Sequence, residues 1–270
     1  MTDFPLQSDL SLARELADRA DTISMDRFRA ADLVVTTKPD MSPVSDADKA
    51  VENALRAAIL DSRPGDSILG EEFGTDGESN RQWIIDPIDG TKNYVRGVPI
   101  WATLIALAVD GVPMVGVVSA PALGKRWWAA SGSGAHMSEA VTGREATSRL
   151  STGHRIHVSQ VAELADASAS CSGITRWEEA GMLDAYLRLA RKVWRTRDYG
   201  DMWPYMMVAE GLVDVAGEFD LKPWDMAALI PIVQEAGGRF SSIEGEPGPW
   251  HGSALATNGL LHDATLAMLG

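Results

Sequence analysis

Apolar residues recur at helical spacing over the first sixty residues of the chain. Apolar positions three or four residues apart predict a first helix over Leu6–Phe28. A second helix is expected after Ser45, because Asp48 follows three residues later and the pair matches a capping box. The segment Lys38–Pro43 between them contains two prolines and predicts a loop.

From residue 67 the pattern changes to short apolar runs, which predict β-strands. The first two of these runs lead directly into acidic residues. Two longer runs flank Asp110-Gly111, and this dipeptide between apolar runs is a strong hairpin signal. The strands predicted in this part of the chain are Ile68–Gly70, Trp83–Ile85, Thr103–Val109, Met114–Ser119 and Arg126–Ala130.

Strands and helices alternate in the second half of the chain. A polar stretch over residues 138–155 precedes it, and we place a boundary there between two halves, residues 1–145 and 146–270. The predicted strands are Ser168–Ser172, Val213–Ala216, Arg239–Ser241 and Ala254–Thr257, and the predicted helices are Leu183–Arg191, Met202–Leu212, Asp225–Ala236 and Leu261–Leu269. Alternating elements after antiparallel hairpins predict a layered α/β or α+β sandwich.

Composition narrows the class of protein. With 270 residues, 45% of them hydrophobic, the chain can bury a sizeable core. A net charge of −14 disfavours nucleic acid and anionic membranes as partners. The acidity is consistent either with solubility alone or with carboxylates that converge on metal ions. A single cysteine, Cys171, excludes an internal disulfide, and with no signal peptide or apolar span visible we expect a cytoplasmic protein.

Candidate chemistry is concentrated in residues 83–91, where an apolar strand leads into two carboxylates three residues apart. Magnesium prefers oxygen ligands, so Asp86 and Asp89 can bind a shared site, with the Ile88 carbonyl between them. The backbone N–H groups of Gly90 and Thr91 would form an anion site suited to phosphate if a helix starts there. The alternative is a turn with helix-capping aspartates, but the whole string after a buried strand favours the metal site.

Two further segments place carboxylates at the ends of predicted elements. Glu71 and Glu72 follow a short strand, at the edge where open-sheet active sites lie, although such a pair alone is more often a solvated turn. Asp225 stands at the start of a predicted helix. It is therefore either a helix cap or a third carboxylate of the metal site.

Together these motifs resemble the signature of the inositol monophosphatase family of metal-dependent, lithium-sensitive phosphatases. The matching strings are Gly-Glu-Glu at 70–72, Trp-Ile-Ile-Asp-Pro-Ile-Asp-Gly-Thr at 83–91 and Trp-Asp-Met-Ala at 224–227. The resemblance covers nearly the whole chain and implies an αβαβα sandwich that forms a homodimer. It also implies two to three Mg²⁺ ions per active site and a small-molecule phosphate ester as substrate, which a metal-activated water attacks directly.

The resemblance also implies roles for individual residues. Asp46 would accept a hydrogen bond from the Thr91 hydroxyl, or would be only a first-turn carboxylate of its helix. Lys38 would belong to a flap near the site, or would be a surface lysine. The ligands implied for the first metal are Glu71, Asp86 and the Ile88 carbonyl, those for the second are Asp86, Asp89 and Asp225, and the groups that orient the attacking water are Glu71 and Thr91.

The segment from Gly200 to Tyr205 bears on the substrate. Its Gly-Asp-x-x-x-Tyr pattern resembles the histidinol-phosphatase branch of the family, whereas inositol phosphatases usually carry a hydroxyl residue after the glycine. Asp201 would attract the positive groups of histidinol phosphate, helped by Glu218; the alternatives are a helix cap for Asp201 and an exposed strand end for Glu218. Inositol 1-phosphatase activity is the nearest alternative function, ahead of a sugar bisphosphatase or a non-catalytic dimeric binding protein.

Overall fold

The computed structural model describes residues 5–39, 41–139 and 153–270. Its α-helices are α1 (Leu6–Arg27), α2 (Asp46–Ser62), α3 (Thr91–Val95), α4 (Ile174–Glu179), α5 (Leu183–Lys192), α6 (Trp203–Ala209), α7 (Pro223–Met226), α8 (Leu229–Glu235) and α9 (His262–Leu269). Its strands are β1 (Val35–Thr37), β2 (Pro43–Ser45), β3 (Ser67–Gly70), β4 (Gly74–Asp76), β5 (Arg81–Asp89), β6 (Ala102–Val109), β7 (Val112–Ala120), β8 (Lys125–Ala130), β9 (His136–Glu139), β10 (His154–Arg155), β11 (Ser168–Cys171), β12 (Arg195–Thr196), β13 (Val215–Phe219), β14 (Arg239–Ser241) and β15 (Ser253–Thr257).

The larger sheet has eight strands in the order β10-β9-β8-β7-β6-β5-β3-β4. Its pairs are antiparallel except for β3 and β5, which are parallel. The strand β5 is buried on both faces, because Trp83 and Ile85 pack beneath α1 and α2 while Ile84 packs into the core on the opposite face. Burial on both faces explains why its sequence is a continuous apolar run rather than an alternating one.

The hairpin predicted at Asp110-Gly111 is confirmed. Val109 pairs with Val112, and the two residues between them have φ angles of 50° and 78°. Positive φ at both central positions is typical of the tight type I′ turn, which matches the twist of the flanking strands. The two longest apolar runs of the first half thus form the adjacent strands β6 and β7.

The smaller sheet has five strands in the order β12-β11-β13-β15-β14. The helices α6 and α8 contribute side chains to the core that both sheets share, and residues of α4, α5 and α9 pack with the strands of the smaller sheet in a separate core. With α1 and α2 on the far face of the larger sheet, the layers follow the order αβαβα. The predicted layered sandwich is therefore confirmed.

The helix predicted over Asp225–Ala236 is instead two short helices, α7 and α8. Pro231 lies in the first turn of α8, where its missing N–H needs no partner; in one continuous helix it would have removed an internal hydrogen bond. The helix α8 ends just before Gly237-Gly238, as predicted. The strands β9 and β10 pair on either side of the polar stretch, and the predicted boundary at residues 145 and 146 lies outside the described residues.

Candidate active site

Strand β5 delivers two aspartates at an irregularity in its pairing. The register between β5 and β6 shifts between Asp86 and Asp89, and Pro87 lies within this bulge. The Pro87 carbonyl accepts a hydrogen bond from the Thr103 hydroxyl at 2.8 Å, and the Ile88 N–H donates to Asp86 Oδ1 at 3.0 Å. A bulge re-aims side chains relative to the regular alternation of a strand, which allows both carboxylates to reach one site.

Asp86, Asp89 and Asp225 form a cluster in which one oxygen of each lies within 4.8 Å of the others. Asp225 joins from the first turn of α7. The predicted alternative of an N-cap is not realised, because Lys222 is the N-cap and Asp225 accepts its N–H at 2.7 Å. Burial and the neighbouring carboxylates raise the pKa of Asp86 and Asp89 well above the ordinary value. Three converging carboxylates that resist ionisation together fit a divalent cation, which would neutralise their repulsion.

Glu71 lies at the end of β3, whose parallel pairing with β5 sets Gly70 opposite Ile85. After burial, the negative charge of Glu71 is the next cause that raises the pKa of Asp86. The Lys38 ammonium lies 2.7 Å from Glu71 and 2.6 Å from Glu72. Burial lowers the pKa of Lys38, but these two bonds outweigh it and raise that pKa, so the lysine stays charged. Lys38 is thus drawn into the carboxylate cluster rather than left on the surface.

Thr91 contacts Asp48, and the predicted contact with Asp46 is wrong. The Thr91 hydroxyl lies 3.2 Å from Asp48 Oδ1 and 2.9 Å from the Ile88 carbonyl, whereas Asp46 pairs with Arg27 at 2.8 Å. Residues two apart on a helix point about 200° away from each other, so only one of the two aspartates can face Thr91. The capping box of Ser45 and Asp48 is present, and it is the sequence feature that orients Asp48 inward.

Asp201 lies beside the carboxylate cluster. Its Oδ2 accepts a hydrogen bond from Asn93 of α3 at 2.7 Å, and the next residue, Met202, donates its N–H to Asp89 at 2.7 Å. Gly90 has a φ of 82°, and a Cβ placed there would come within 3.1 Å of the Asp201 carboxyl carbon. The alternative role of Asp201 as a cap is not realised, since α6 begins at Trp203 and the Asp201 carboxylate bonds Asn93.

Glu218 projects from β13 toward the same group of acids. Its side chain is half-buried, and burial together with the charges of Asp201, Asp198 and Asp225 raises its pKa to about 8. The alternative of an exposed strand end is therefore wrong. Burial, followed by the charge of Asp198, also raises the pKa of Asp201 to about 6. The sequence pointed to these two carboxylates as substrate ligands, but not to Asn93. No motif around Asn93 distinguishes it from an ordinary helix residue, and its contact with Asp201 exists only in the folded chain.

The lone cysteine lies away from this chemistry. Cys171 is buried in the smaller sheet, and burial raises the pKa of its thiol to about 12. It is therefore a core residue rather than a nucleophile. Among the helices of the described residues, none combines the length and apolar character needed to cross a membrane.

A family model of known proteins matches nearly the whole chain. The model describes the inositol monophosphatase family and covers residues 6–269. The chain belongs to the inositol monophosphatase family. The cluster of Asp86, Asp89 and Asp225 is formed by the strings at 83–91 and 224–227 that carry the resemblance to this family.

Similar proteins agree with this assignment. The chain is 59% identical to a histidinol-phosphatase of Streptomyces coelicolor, with 97% of this chain and 96% of that protein covered. It is 55% identical to a histidinol-phosphatase of Mycobacterium tuberculosis, with 97% of each covered. A solved inositol monophosphatase from Zymomonas mobilis superposes with a TM-score of 0.84 at 30% identity, with 99% of each chain covered. The family fold expected from the sequence is thereby confirmed.

Proposed function

We propose that this protein is a magnesium-dependent phosphatase that hydrolyses L-histidinol phosphate to L-histidinol and phosphate. The observation that carries the proposal is the position of Asp201, a carboxylate held by Asn93 directly beside the acidic cluster. A hydroxyl of a neutral polyol can donate a hydrogen bond to that carboxylate, but an ammonium or imidazolium group also brings a positive charge to it and forms the stronger bond. The two histidinol-phosphatases at 59% and 55% identity support the same substrate.

The residues of the cluster fit Mg²⁺, and two to three ions per site are expected from the family. Glu71, Asp86 and the Ile88 carbonyl would hold the first ion. Asp86, Asp89 and Asp225 would hold the second, so Asp86 would be shared. When bound, magnesium would neutralise the phosphate dianion and lower the pKa of a coordinated water. Burial raises the pKa values of Asp86, Asp89 and Asp225, so these carboxylates ionise together only when a positive charge such as Mg²⁺ lies between them.

Thr91 and Glu71 would orient the attacking water between them. The Thr91 hydroxyl can donate its proton to Asp48 or to the Ile88 carbonyl, and its oxygen then accepts a hydrogen bond from water. Glu71 would accept the other proton of that water and act as the general base. The lone pair of the water would thereby be directed at phosphorus, while the N–H groups of Gly90 and Thr91 bind the phosphate oxygens. As the new P–O bond forms, the bond from phosphorus to the histidinol oxygen breaks, and that oxygen takes up a proton that balances the one accepted by Glu71.

Asp201 and Glu218 would bind the positively charged part of the substrate. The two carboxylates are close neighbours, because the charge of Asp201 is among the causes that raise the pKa of Glu218. Lys38, paired with Glu71 and Glu72, would balance the charge of the cluster at its other side. A homodimer and a cytoplasmic location remain predictions from the sequence.

Phosphate release from L-histidinol phosphate and from inositol 1-phosphate, measured side by side with purified protein, tests the proposal. We expect a clearly higher kcat/KM for histidinol phosphate, and loss of activity on both when EDTA removes divalent cations. A higher kcat/KM for inositol 1-phosphate would overturn the substrate assignment and favour the alternative activity. Turnover that survives EDTA treatment would overturn the metal-dependent mechanism.

A further inference from the structure

Helix α2 carries a second buried carboxylate, one turn after Asp48. Glu52 is fully buried, and its two oxygens accept the N–H of Glu72 at 2.7 Å and the N–H of Phe73 at 3.2 Å. Arg56, one turn further along, donates to Glu52 at 2.8 Å. A buried carboxylate is retained only where its charge and lone pairs are satisfied, and these three bonds satisfy Glu52.

The Glu52 carboxylate also presses against the backbone that leads into this turn. A Cβ placed on Gly70 would lie 2.0 Å from Glu52 Oε1, so no larger residue fits there while the carboxylate stays in place. Arg56 reaches the far side of the turn and donates to the carbonyl of Gly74. Helix α2 thus bonds the segment from Glu72 to Gly74 and lies directly against Gly70.

Glu71 is the residue between these held positions. Its own N–H donates to the Ile85 carbonyl of β5 at 3.2 Å, and its neighbours Gly70 and Glu72 are fixed against Glu52. Four residues before Glu52, Asp48 holds the Thr91 hydroxyl. Residues four apart lie on one face of a helix, so a single face of α2 contacts both members of the pair that orients the water.

We propose that Glu52 is a positioning residue for Glu71, and that α2 sets the separation between Glu71 and Thr91 through Glu52 and Asp48. This inference rests on the proposed function, since it gives Glu52 a purpose only if Glu71 binds metal and water. Glu52 itself touches neither the acidic cluster nor Thr91 by hydrogen bond; it acts through the backbone of the turn. A wrongly placed Glu71 would weaken the first metal site and slow the attack by water.

Glu52→Gln tests the role with almost unchanged volume. The glutamine oxygen can accept one backbone N–H, but its amide N–H groups oppose the remaining donors of the turn and of Arg56. Partners of metal ligands typically contribute about 10- to 100-fold to metal affinity or activity, so we expect losses of that order in Mg²⁺ affinity and in kcat. The KM for histidinol phosphate at saturating Mg²⁺ should change less than about 2-fold, since no substrate group contacts this turn.

Mg²⁺ affinity is measured by titration calorimetry, which needs no turnover, and thermal unfolding shows whether each variant is folded. Asn53→Ala, an exposed position next to Glu52 on the same helix, is the matched control and should match the wild type. A folded Glu52→Gln variant with wild-type Mg²⁺ affinity and kcat would overturn the proposal. If wild-type protein binds Mg²⁺ but does not cleave histidinol phosphate, the substrate assignment fails, and the calorimetric comparison still decides the role of Glu52.

Gly70→Ala provides an independent route, because it displaces the Glu52 carboxylate without changing any charge. It should weaken Mg²⁺ binding as Glu52→Gln does, and it carries the same test if Glu52→Gln does not fold. The double variant Glu52→Ala with Gly70→Ala should be no worse than Glu52→Ala alone, because both changes remove one interaction. Losses that simply multiply in the double variant would mean that the two positions act separately, which contradicts the proposal.

Discussion

Replacement of Asp201 by asparagine separates substrate recognition from the rest of the site. Asparagine has the same shape and tolerates the positive φ of 50° at this position. Its side-chain oxygen can still accept the Asn93 amide hydrogen that Asp201 accepts at 2.7 Å. The substitution therefore removes one negative charge while the hydrogen bond between the loop of Asp201 and α3 is kept.

The expected magnitude follows from the position of that charge. An exposed ion pair contributes about 0–1 kcal/mol, but Asp201 is half-buried beside Gly90, and a hydrogen bond to a charged group contributes about 1.5–3 kcal/mol. Since about 1.4 kcal/mol corresponds to a factor of ten, kcat/KM for histidinol phosphate should fall by roughly 10- to 100-fold or more. Hydrolysis of glycerol 2-phosphate, which carries no positive group, should stay nearly unchanged.

The assay is phosphate release from both esters at saturating Mg²⁺, at a pH above the value of about 6 to which burial raises the pKa of Asp201. Asp198→Asn is the matched control. Asp198 is an exposed carboxylate of the same loop that accepts the Gly173 N–H at 3.3 Å, so its loss reports the general effect of removing a negative charge. An equal fall on both esters in Asp201→Asn, or an equal fall in Asp198→Asn, would refute specific recognition of the cation by Asp201.

Three further predictions concern the metal cluster and the water. Asp86→Asn should reduce turnover by more than the roughly 100-fold that is typical when a hydrogen-bond partner of a metal ligand is removed, and the protein should stay folded. Calorimetry measures Mg²⁺ binding by this variant, and thermal unfolding shows whether it is folded. Near wild-type Mg²⁺ binding and turnover would exclude Asp86 as a ligand shared by two ions. Thr91→Ala should lower kcat by about 100-fold or more with little change in KM. Asp48→Asn should show a milder loss of kcat, and Asp46→Asn should not show it. A rise in KM alone for Thr91→Ala would mean that its hydroxyl binds substrate instead of water. Without divalent cations, the Tm should fall as the pH rises from about 5 to 8. Burial raises the folded-state pKa of Asp201 to about 6, of Asp225 to about 7 and of Glu218 to about 8. In this pH window the folded protein therefore binds more protons than the unfolded chain, and it loses stability as those protons are released. Saturating Mg²⁺ should flatten that curve, and a Tm that rises with pH in metal-free protein would contradict the sign.

The sequence by itself determined the layered sandwich, the approximate positions of the longer helices and strands, and the carboxylates at the strand tip. These follow from local rules: apolar periodicity, the Ser45–Asp48 capping box, the Asp110-Gly111 turn and the acidic residues that directly follow buried strands. The resemblance assigned the Thr91 contact to Asp46, which is wrong, and local rules could not correct it because they place Asp46 and Asp48 equally well in the first turn of α2. The choice between them depends on the direction of α2 over α3, which the spacing of residues along one helix does not specify.

Only the tertiary structure decided which distant residues share the site. Asn93 and Asp201 are 108 positions apart, and Glu52 and Glu72 are 20 apart, yet each pair is joined by one short hydrogen bond. Such contacts arise from the packing of α2 against β5 and from the approach of the loop before α6 to α3, and no local pattern encodes them. A side chain such as Glu52, whose neighbours in sequence indicate only the core face of a helix, acquires its role from the backbone turn that this packing brings beside it.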